Sequence, residues 1–403
     1  MTSVTSPVVF DPFSEDFFSS PYEIYRRMRD EAPVYYSEKY EFYALTRHED
    51  VAAAFKDHET YSSAYGVDLG QVRKNEVTEH GSIIAMDPPK HRRLRSLLNR
   101  VFTPRAIEAH RGLVTDLIDK HLSAADPDGF DFVQDFSALF PVDVMTTMQG
   151  VPEEDHQQIR HWIDHFLSRE AGEVDMSEDG LKSAIDMAIY YFRLIKKRRE
   201  NLGDDLISKL IESEIEREDG TMSPLDNVEI TEFAQLLGGA GAETVTKLLG
   251  SAAVVFARNP DQWQLLLDDR SKIPLAVEEL LRYEAPAQYN VRRSMREVTL
   301  HGVTIPEGKP VFLVGGSANR DPEAWADADR FDIDRDRTQA QNLGLGYGIH
   351  SCLGAALARM ESAVALEKML DFMPRYEVDF ENCRRVNMQN VAGWSNVPVR
   401  VLT

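Results

Sequence analysis

The stretch that most constrains the fold of this chain is a glycine-rich loop that leads through one cysteine into an apolar run. Residues 344–361 read Gly-Leu-Gly-Tyr-Gly-Ile-His-Ser-Cys-Leu-Gly-Ala-Ala-Leu-Ala-Arg-Met-Glu. The three glycines exclude a regular helix or strand and predict a tight loop with positive φ, whose backbone approaches another group closely. The apolar run from Leu353 predicts a helix. Cys352 then lies near free N–H groups at the start of that helix, and such groups stabilise a thiolate.

The residues alone leave two interpretations of Cys352 open. A lone cysteine in a reducing compartment is usually a small buried hydrophobic residue. The glycine loop and His350, which adds a donor or a cation two residues earlier, favour a thiolate that acts as a ligand.

The run from Leu345 to Gly354 resembles the haem-binding loop of the cytochrome P-450 family, the haem-thiolate monooxygenases. The family pattern is F-G-x-G-x-H-x-C-x-G, and this chain departs from it only at Leu345, where the family has phenylalanine. The resemblance implies that the cofactor is haem b (iron protoporphyrin IX) and that Cys352 is the thiolate ligand of its iron. It also implies that Gly346, Gly348 and His350 contact the haem.

A basic segment forms a second motif. Asp87-Pro88-Pro89 predicts a helix start with Asp87 as its cap. The segment up to residue 105 has no acid, and its bases are Lys90, Arg92, Arg93, Arg95, Arg100 and Arg105. By itself this pattern indicates a solvated basic face. His91 and Arg95 share one helix face and resemble the family's H-x-x-x-R, which implies that they bind a haem propionate through charge-assisted hydrogen bonds.

The third motif lies in the middle of a predicted helix from Asp226 to Asn259, about 50 Å long. Its glycines, at 238, 239 and 241, each cost roughly 1 kcal/mol relative to alanine. Either close packing against another helix or close approach to a flat cofactor would offset that cost. The run 240–244 matches the family's A-G-x-[DE]-T. The match implies that Ala240 and Gly241 contact the haem and that Glu243 and Thr244 manage protons.

Thr244 also has a purely structural alternative, because its hydroxyl can bond back to the carbonyl of Ala240 and bend the helix. Position in the family pattern makes Leu236, Leu237 and Tyr289 candidate substrate contacts.

Two further motifs complete the resemblance. Glu279 and Arg282 are spaced as an ordinary surface pair, but they resemble the family's E-x-x-R, which buttresses the cysteine loop. Alignment with a family strand assigns Arg292 to a haem propionate, and the adjacent Arg293 leaves that choice open.

The remaining pattern predicts a mainly α protein with a smaller β region, the cytochrome P-450 fold, as one domain over residues 1–403. Strands are expected within residues 30–46, 286–318 and 376–403, a long loop over 62–86, and helices near 107–123, 141–149, 153–169, 180–200 and 203–217.

Charge and composition exclude several classes of function. The net charge is −22, from 45 Lys and Arg against 67 Asp and Glu, which argues against general nucleic-acid binding. The first residues have no basic start or apolar run, and no apolar stretch reaches about 18 residues, so we expect neither a signal peptide nor a membrane span. The two cysteines suit a cytoplasmic protein, and we expect a monomer.

The resemblance implies a monooxygenase that inserts one oxygen atom from O₂ into an apolar small molecule, such as a lipid, steroid or terpenoid. Electrons would come from NAD(P)H through a ferredoxin reductase and an acidic ferredoxin, which we expect to dock on the basic helix. The alternative is a haem-thiolate protein that binds, senses or isomerises small molecules without activating O₂. Glu243 and Thr244 argue against it, because a passive pocket needs neither.

Overall fold

The computed structural model describes residues 7–77 and 82–402, without the side chain of Arg100. The expectation about a signal peptide rests mostly on residues 1–6, which lie outside this part. Helices predominate, as predicted. They are α1 (Glu15–Ser19), α2 (Tyr22–Glu31), α3 (His48–Lys56), α4 (Leu69–Lys74), α5 (Lys90–Val101), α6 (Pro104–Glu108), α7 (Arg111–Ala124), α8 (Phe140–Gln149), α9 (His156–Leu167), α10 (Glu178–Glu200), α11 (Leu206–Ile211), α12 (Asn227–Arg258), α13 (Pro260–Asp268), α14 (Ile273–Tyr283), α15 (Gly315–Ala318) and α16 (Ala355–Phe372).

The strands are shorter and are distributed along the chain in several groups. They are β1 (Val34–Ser37), β2 (Phe42–Leu45), β3 (Tyr61–Ser62), β4 (Phe130–Asp131), β5 (Glu214–Glu216), β6 (Met222–Pro224), β7 (Asn290–Ser294), β8 (Val298–Leu300), β9 (Val303–Ile305), β10 (Pro310–Leu313), β11 (Tyr376–Val378), β12 (Arg384–Arg385), β13 (Trp394–Asn396) and β14 (Pro398–Val401).

The largest sheet joins segments that are far apart in the sequence. Its strand order is β1-β2-β10-β7-β3, with β10 parallel to β2 and antiparallel to β7. Strand β10 therefore connects the amino-terminal hairpin to the later β region. Both predicted hairpins form, β1 with β2 and β8 with β9. The β8–β9 turn uses positive φ at His301 and Gly302, as a tight two-residue hairpin loop requires.

Three local predictions were wrong. The expected loop over 62–86 contains α4, whose amino end is capped by the Asp68 carboxylate. The expected helix over 203–217 ends at Ile211, and the chain continues as the β5–β6 hairpin. Asp87 does not cap α5: its carboxylate accepts hydrogen bonds from the Ser62 hydroxyl and the Ser63 amide.

Helix α12 runs through the core and positions the site. A capping box between Asp226 and Glu229 fixes its start, and it packs against α8, α9, α10 and α16. It passes the length and composition test for a membrane helix, but 78% of its most apolar window is buried inside the protein. Among the described residues no other helix passes that test.

The glycines of α12 mainly allow close helix packing. A Cβ at Gly241 would lie 2.4 Å from the Met145 side chain of α8, and one at Gly238 would lie 3.0 Å from the Tyr191 hydroxyl of α10. Gly241 therefore faces a neighbouring helix, which corrects the expectation that its missing side chain makes room for a cofactor.

Candidate active site

The loop before Cys352 is held against two helices. Gly346 and Gly348 have positive φ, as predicted. A Cβ at Gly348 would lie 2.3 Å from the Phe55 carbonyl oxygen of α3, and a Cβ at Gly344 would lie 2.1 Å from the Leu281 carbonyl oxygen of α14. Real Cβ atoms do not approach backbone this closely, so these two glycines allow the loop to pack on α3 and α14. The amide of Cys352 closes the loop by donating to the Leu345 carbonyl at 2.8 Å.

The thiol of Cys352 is free, and its side chain is exposed although protein surrounds it densely. This desolvation raises the pKa of the thiol. The Gly354 amide and the Arg95 guanidinium act in the opposite direction. The protein groups around the sulfur therefore do not by themselves hold a thiolate. A metal ion would supply the positive charge that a thiolate ligand needs.

Four side chains from two elements and the loop meet beside Cys352. His91 and Arg95 come from α5, Arg292 from β7, and His350 from the loop. The rings of His91 and His350 are 4.3 Å apart, and Arg95 Nη2 donates to the Ser351 carbonyl at 2.6 Å. Arg292 is buried and lies close enough to His350 to depress the pKa of that imidazole.

This cluster has more donors than the protein satisfies. The Nε2 atoms of His91 and His350 are buried and have no hydrogen-bond partner in the described part of the chain. Burial lowers the pKa of His91 to about 4 and the pKa of His350 still further. His350 already forms a hydrogen bond with the Met86 backbone through its ring, so its Nε2 donates only when the ring carries both protons, which an anion beside it would favour. These donors fit an anionic group with several acceptor oxygens, such as the two propionates of haem.

Arg293 points the other way, because successive residues of a strand face opposite sides. Its Nε donates to Asn75 Oδ1 at 2.8 Å, and its guanidinium lies 4.2 Å from the centre of the Tyr65 ring.

Glu279 and Arg282 form a buried hub rather than a surface pair. Arg282 Nη2 lies 2.7 Å from Glu279 Oε1, and both side chains are almost fully buried. Arg282 Nη1 donates to the carbonyls of Asn319 and Ala328 at 2.8 Å each. The side chain of Asn319 in turn accepts a hydrogen bond from the Leu343 amide at 2.9 Å. The pair thus links α14, through the segment after α15, to the start of the cysteine loop.

One face of α12 is open in the middle of an otherwise buried helix. Ala240 is exposed, and Leu236 and Thr244, one turn to either side, are half-buried. The hydroxyl of Thr244 donates to the Ala240 carbonyl at 2.9 Å, so the structural alternative for this residue is present. The oxygen of that hydroxyl keeps its acceptor lone pairs.

Two candidate substrate contacts lie in the core instead. Leu237 is buried in the main core cluster. Tyr289 packs between Phe17 and Phe312, and its hydroxyl donates to the Gln389 carbonyl at 2.6 Å. Both were placed by position in a motif, which does not determine which way a side chain points.

Glu243 is paired with a residue that the motifs did not identify. Its carboxylate contacts the ammonium of Lys247, one turn later, and both side chains are buried. Burial raises the pKa of Glu243, the Lys247 ammonium opposes that rise, and the Asp164 carboxylate adds to it. A lysine four residues after a glutamate in an apolar helix was the available signal.

A polar cavity of about 590 Å³ reaches this pair from one side. Lys247 lines it together with the Arg160, Asp164, Arg169 and Arg385 side chains. The charged pair inside α12 therefore adjoins a space that is open to water.

Comparisons with known proteins agree with this geometry. The family model for cytochrome P450 matches residues 14–392. Cytochrome P450 123 of Mycobacterium tuberculosis is 40% identical, over 98% of this chain and 97% of that protein. A mutant of P450 EryK solved with erythromycin B has a TM-score of 0.85 at 33% identity, covering 94% of this chain and 95% of that one.

CYP109E1 from Bacillus megaterium, solved with testosterone, has a TM-score of 0.84 at 28% identity, over 95% of this chain and 98% of that one. The match extends over nearly the whole sequence and over the mainly helical fold with its smaller sheets. This chain therefore belongs to the cytochrome P450 family and is a haem-dependent monooxygenase that uses O₂.

Proposed function

We propose that this chain oxygenates an apolar small molecule of roughly steroid or macrolide size, with haem b bound through the thiolate of Cys352. The observation that carries the assignment of the site is the cluster of His91, Arg95, Arg292 and His350, which brings two guanidinium groups and two buried, unpartnered ring nitrogens beside a free cysteine. When bound, the haem supplies the activation of O₂ and the insertion of one oxygen atom into the substrate. The residues of the chain hold the cofactor and supply protons.

Arg292, rather than Arg293, is the strand residue that we assign to a propionate. It is buried on the side of β7 that faces His350, whereas Arg293 is engaged with Asn75 and Tyr65 on the other side. Burial lowers the pKa of Arg292 to about 10, so the side chain remains a cation at neutral pH and can pair with a carboxylate.

We assign the supply of protons to Lys247, Glu243 and Thr244. Lys247 lines the 590 Å³ cavity, which is open to solvent, and contacts the Glu243 carboxylate. Because burial raises the pKa of Glu243, its carboxyl takes up a proton more readily than an exposed glutamate. The next residue, Thr244, lies on the open face of α12 beside Ala240 and presents a hydroxyl there.

The substrate is proposed from the relatives and from the open face of α12. Ala240 and Leu236 give the open face of α12 an apolar surface. The two solved relatives hold erythromycin B and testosterone, which are both large and mostly apolar molecules.

Electrons are proposed to come from NAD(P)H through a ferredoxin reductase and an acidic ferredoxin, in the cytoplasm. Arg92 and Arg105 are exposed on or just after α5, the helix that also carries His91 and Arg95. Opposite charge on this surface and on the ferredoxin would speed their encounter. Arg100 belongs to the same predicted patch, but its side chain lies outside the described part of the chain.

The test is a reconstituted reaction with purified ferredoxin, its reductase and NADPH. A panel of steroids, macrolides and terpenoids is first screened for the change in the haem absorption spectrum that accompanies displacement of water from the iron. Each compound that binds is then assayed for consumption of O₂ and NADPH and for an oxygenated product. Product formed without O₂ uptake would favour the alternative of a binding or isomerising haem protein.

A further inference from the structure

Helix α10 has an apolar stripe on its outer face. The stripe consists of Leu181, Ile185, Ile189 and Phe192, which are 56%, 51%, 44% and 37% exposed. Their spacing places them on one side of the helix over about 16 Å. The opposite side of α10 is buried against α9 and α12, so packing within the chain leaves the stripe uncovered. Contiguous apolar surface of this kind marks an interaction surface.

Opposite charges flank the stripe at its two ends. Glu178 precedes it and Lys196 follows it, about five helical turns apart and therefore at the same angle around the helix. Both are exposed, and neither forms an ion pair within the described residues. Asp179 and Lys197, beside them, extend the acidic and the basic end.

We propose that the partner of this stripe is a second copy of the chain, with the two α10 helices antiparallel about a twofold axis near Met187. Ile185 and Ile189 lie two residues on either side of Met187, so each isoleucine would meet the other isoleucine of the second copy. Glu178 and Lys196 lie nine residues on either side and would form two equivalent ion pairs. A twofold interface must be complementary to itself, and this arrangement of charges is.

The same charges disfavour other partners. A parallel pairing would bring acid to acid and base to base, which is repulsive. An anionic lipid surface would favour basic residues along the whole stripe, whereas Glu178, Asp179 and Asp186 line part of it.

A single helix face buries less surface area than the roughly 800 Å² per partner of a typical stable interface. We therefore expect a dimer that dissociates on dilution, and this replaces the expectation of a strict monomer.

The first experiment is sedimentation equilibrium of the haem-loaded protein over a range of concentrations. The mass should rise from 45.7 kDa toward twice that value as the concentration increases. Ile185→Glu should hold the protein at the monomer mass. Leu275→Glu, at an exposed leucine of α14, should behave as the wild type. An unchanged haem spectrum checks that each variant is folded.

The second experiment exchanges the charges. Glu178→Lys and Lys196→Glu should each weaken the dimer, and the double variant should restore it because each pair is then reversed. A wild-type protein that stays monomeric at every concentration overturns the proposal. A double variant whose dimer is as weak as the dimers of the single variants also overturns it. A monomeric protein whose Ile185 stripe binds anionic phospholipid vesicles overturns it as well.

Discussion

The ammonium of Lys247 pairs with the carboxylate of Glu243 one turn earlier on α12, and neither side chain is more than 5% exposed. Arg160 and Asp164 of α9 are the other charged groups that act on this carboxyl. Taking two charges out of water is costly, and a buried pair persists only when each charge compensates the other. The pair therefore connects the stability of the protein with its proposed supply of protons.

Replacing Lys247 with Met should destabilise the protein, and more strongly at higher pH. The folded-state pKa of Glu243 is raised, so stability associated with this group is present below its unfolded pKa of about 4.3 and is lost as pH rises through the folded value. Without Lys247 that pKa rises further. Urea unfolding should show that the free energy of unfolding falls by about 3–5 kcal/mol at pH 8 and by less at pH 5.

The control for this prediction is the double variant Glu243→Gln, Lys247→Met, which has no carboxylate to leave uncompensated. Its stability relative to the wild type should differ less between the two pH values. An equal loss in Lys247→Met at both pH values would contradict the assignment of the effect to Glu243.

Cys352→Ala should abolish the thiolate-type absorption of the reduced carbon monoxide complex, whereas Cys383→Ala should retain it. Cys383 lies far along the chain from the loop, and its Sγ is 3.4 Å from the Asp379 carbonyl oxygen. Absorption spectra of the two purified variants decide between them. If Cys383 proves essential, the assignment of the glycine loop is wrong.

Thr244→Ala distinguishes the two roles of that hydroxyl. If it handles protons, the variant should bind haem and consume NAD(P)H but release peroxide in place of product, and Thr244→Ser should keep most of the coupling. If the bond to the Ala240 carbonyl is its only role, stability should change by about 1 kcal/mol with no change in product per NAD(P)H consumed. We expect the first result. Unchanged coupling in a well-folded Thr244→Ala protein would exclude it.

Arg282→Lys should lower the free energy of unfolding by about 3–5 kcal/mol and weaken the retention of haem. Lysine cannot replace a guanidinium group that contacts Glu279 and two backbone carbonyls at the same time. The matched control is Arg111→Lys, at an exposed pair with the same spacing to Glu108, where less than about 1 kcal/mol should be lost. Urea unfolding and the ratio of haem to protein measure both effects. Similar losses in the two variants would contradict the hub.

Arg105→Glu and Arg92→Glu should each slow reduction by an acidic ferredoxin, by roughly 2- to 10-fold at low ionic strength. Added salt should slow the wild type and reduce the difference, because it screens exposed charges. Arg193→Glu, on the exposed surface of α10, is the control and should leave the rate unchanged. Stopped-flow measurement of reduction gives these rates, and indifference to both salt and charge would remove the proposed docking surface.

The local patterns that the sequence predicts well are those with a local physical cause. The helix Asn227–Arg258 starts one residue from the predicted start, where Asp226 caps it, and the two hairpins follow from their strand and turn residues. Positive φ at Gly346 and Gly348 follows from the glycine pattern itself. Five short motifs predict the family, and with it the haem and O₂ chemistry. Their order along the chain is more specific than any single motif.

Only the tertiary structure decided what each side chain faces. Gly241 packs on Met145, and Tyr289 enters an aromatic core, because neighbours distant in sequence occupy the space around them. Arg292 and Arg293 are neighbours on β7 and differ in the face of the sheet that each side chain occupies. The four-residue spacing of Glu243 and Lys247 places them on one helix face, but the burial of the pair depends on α9 and on the cavity beside it. Spacing along a chain determines which residues share a face, and packing determines where that face points.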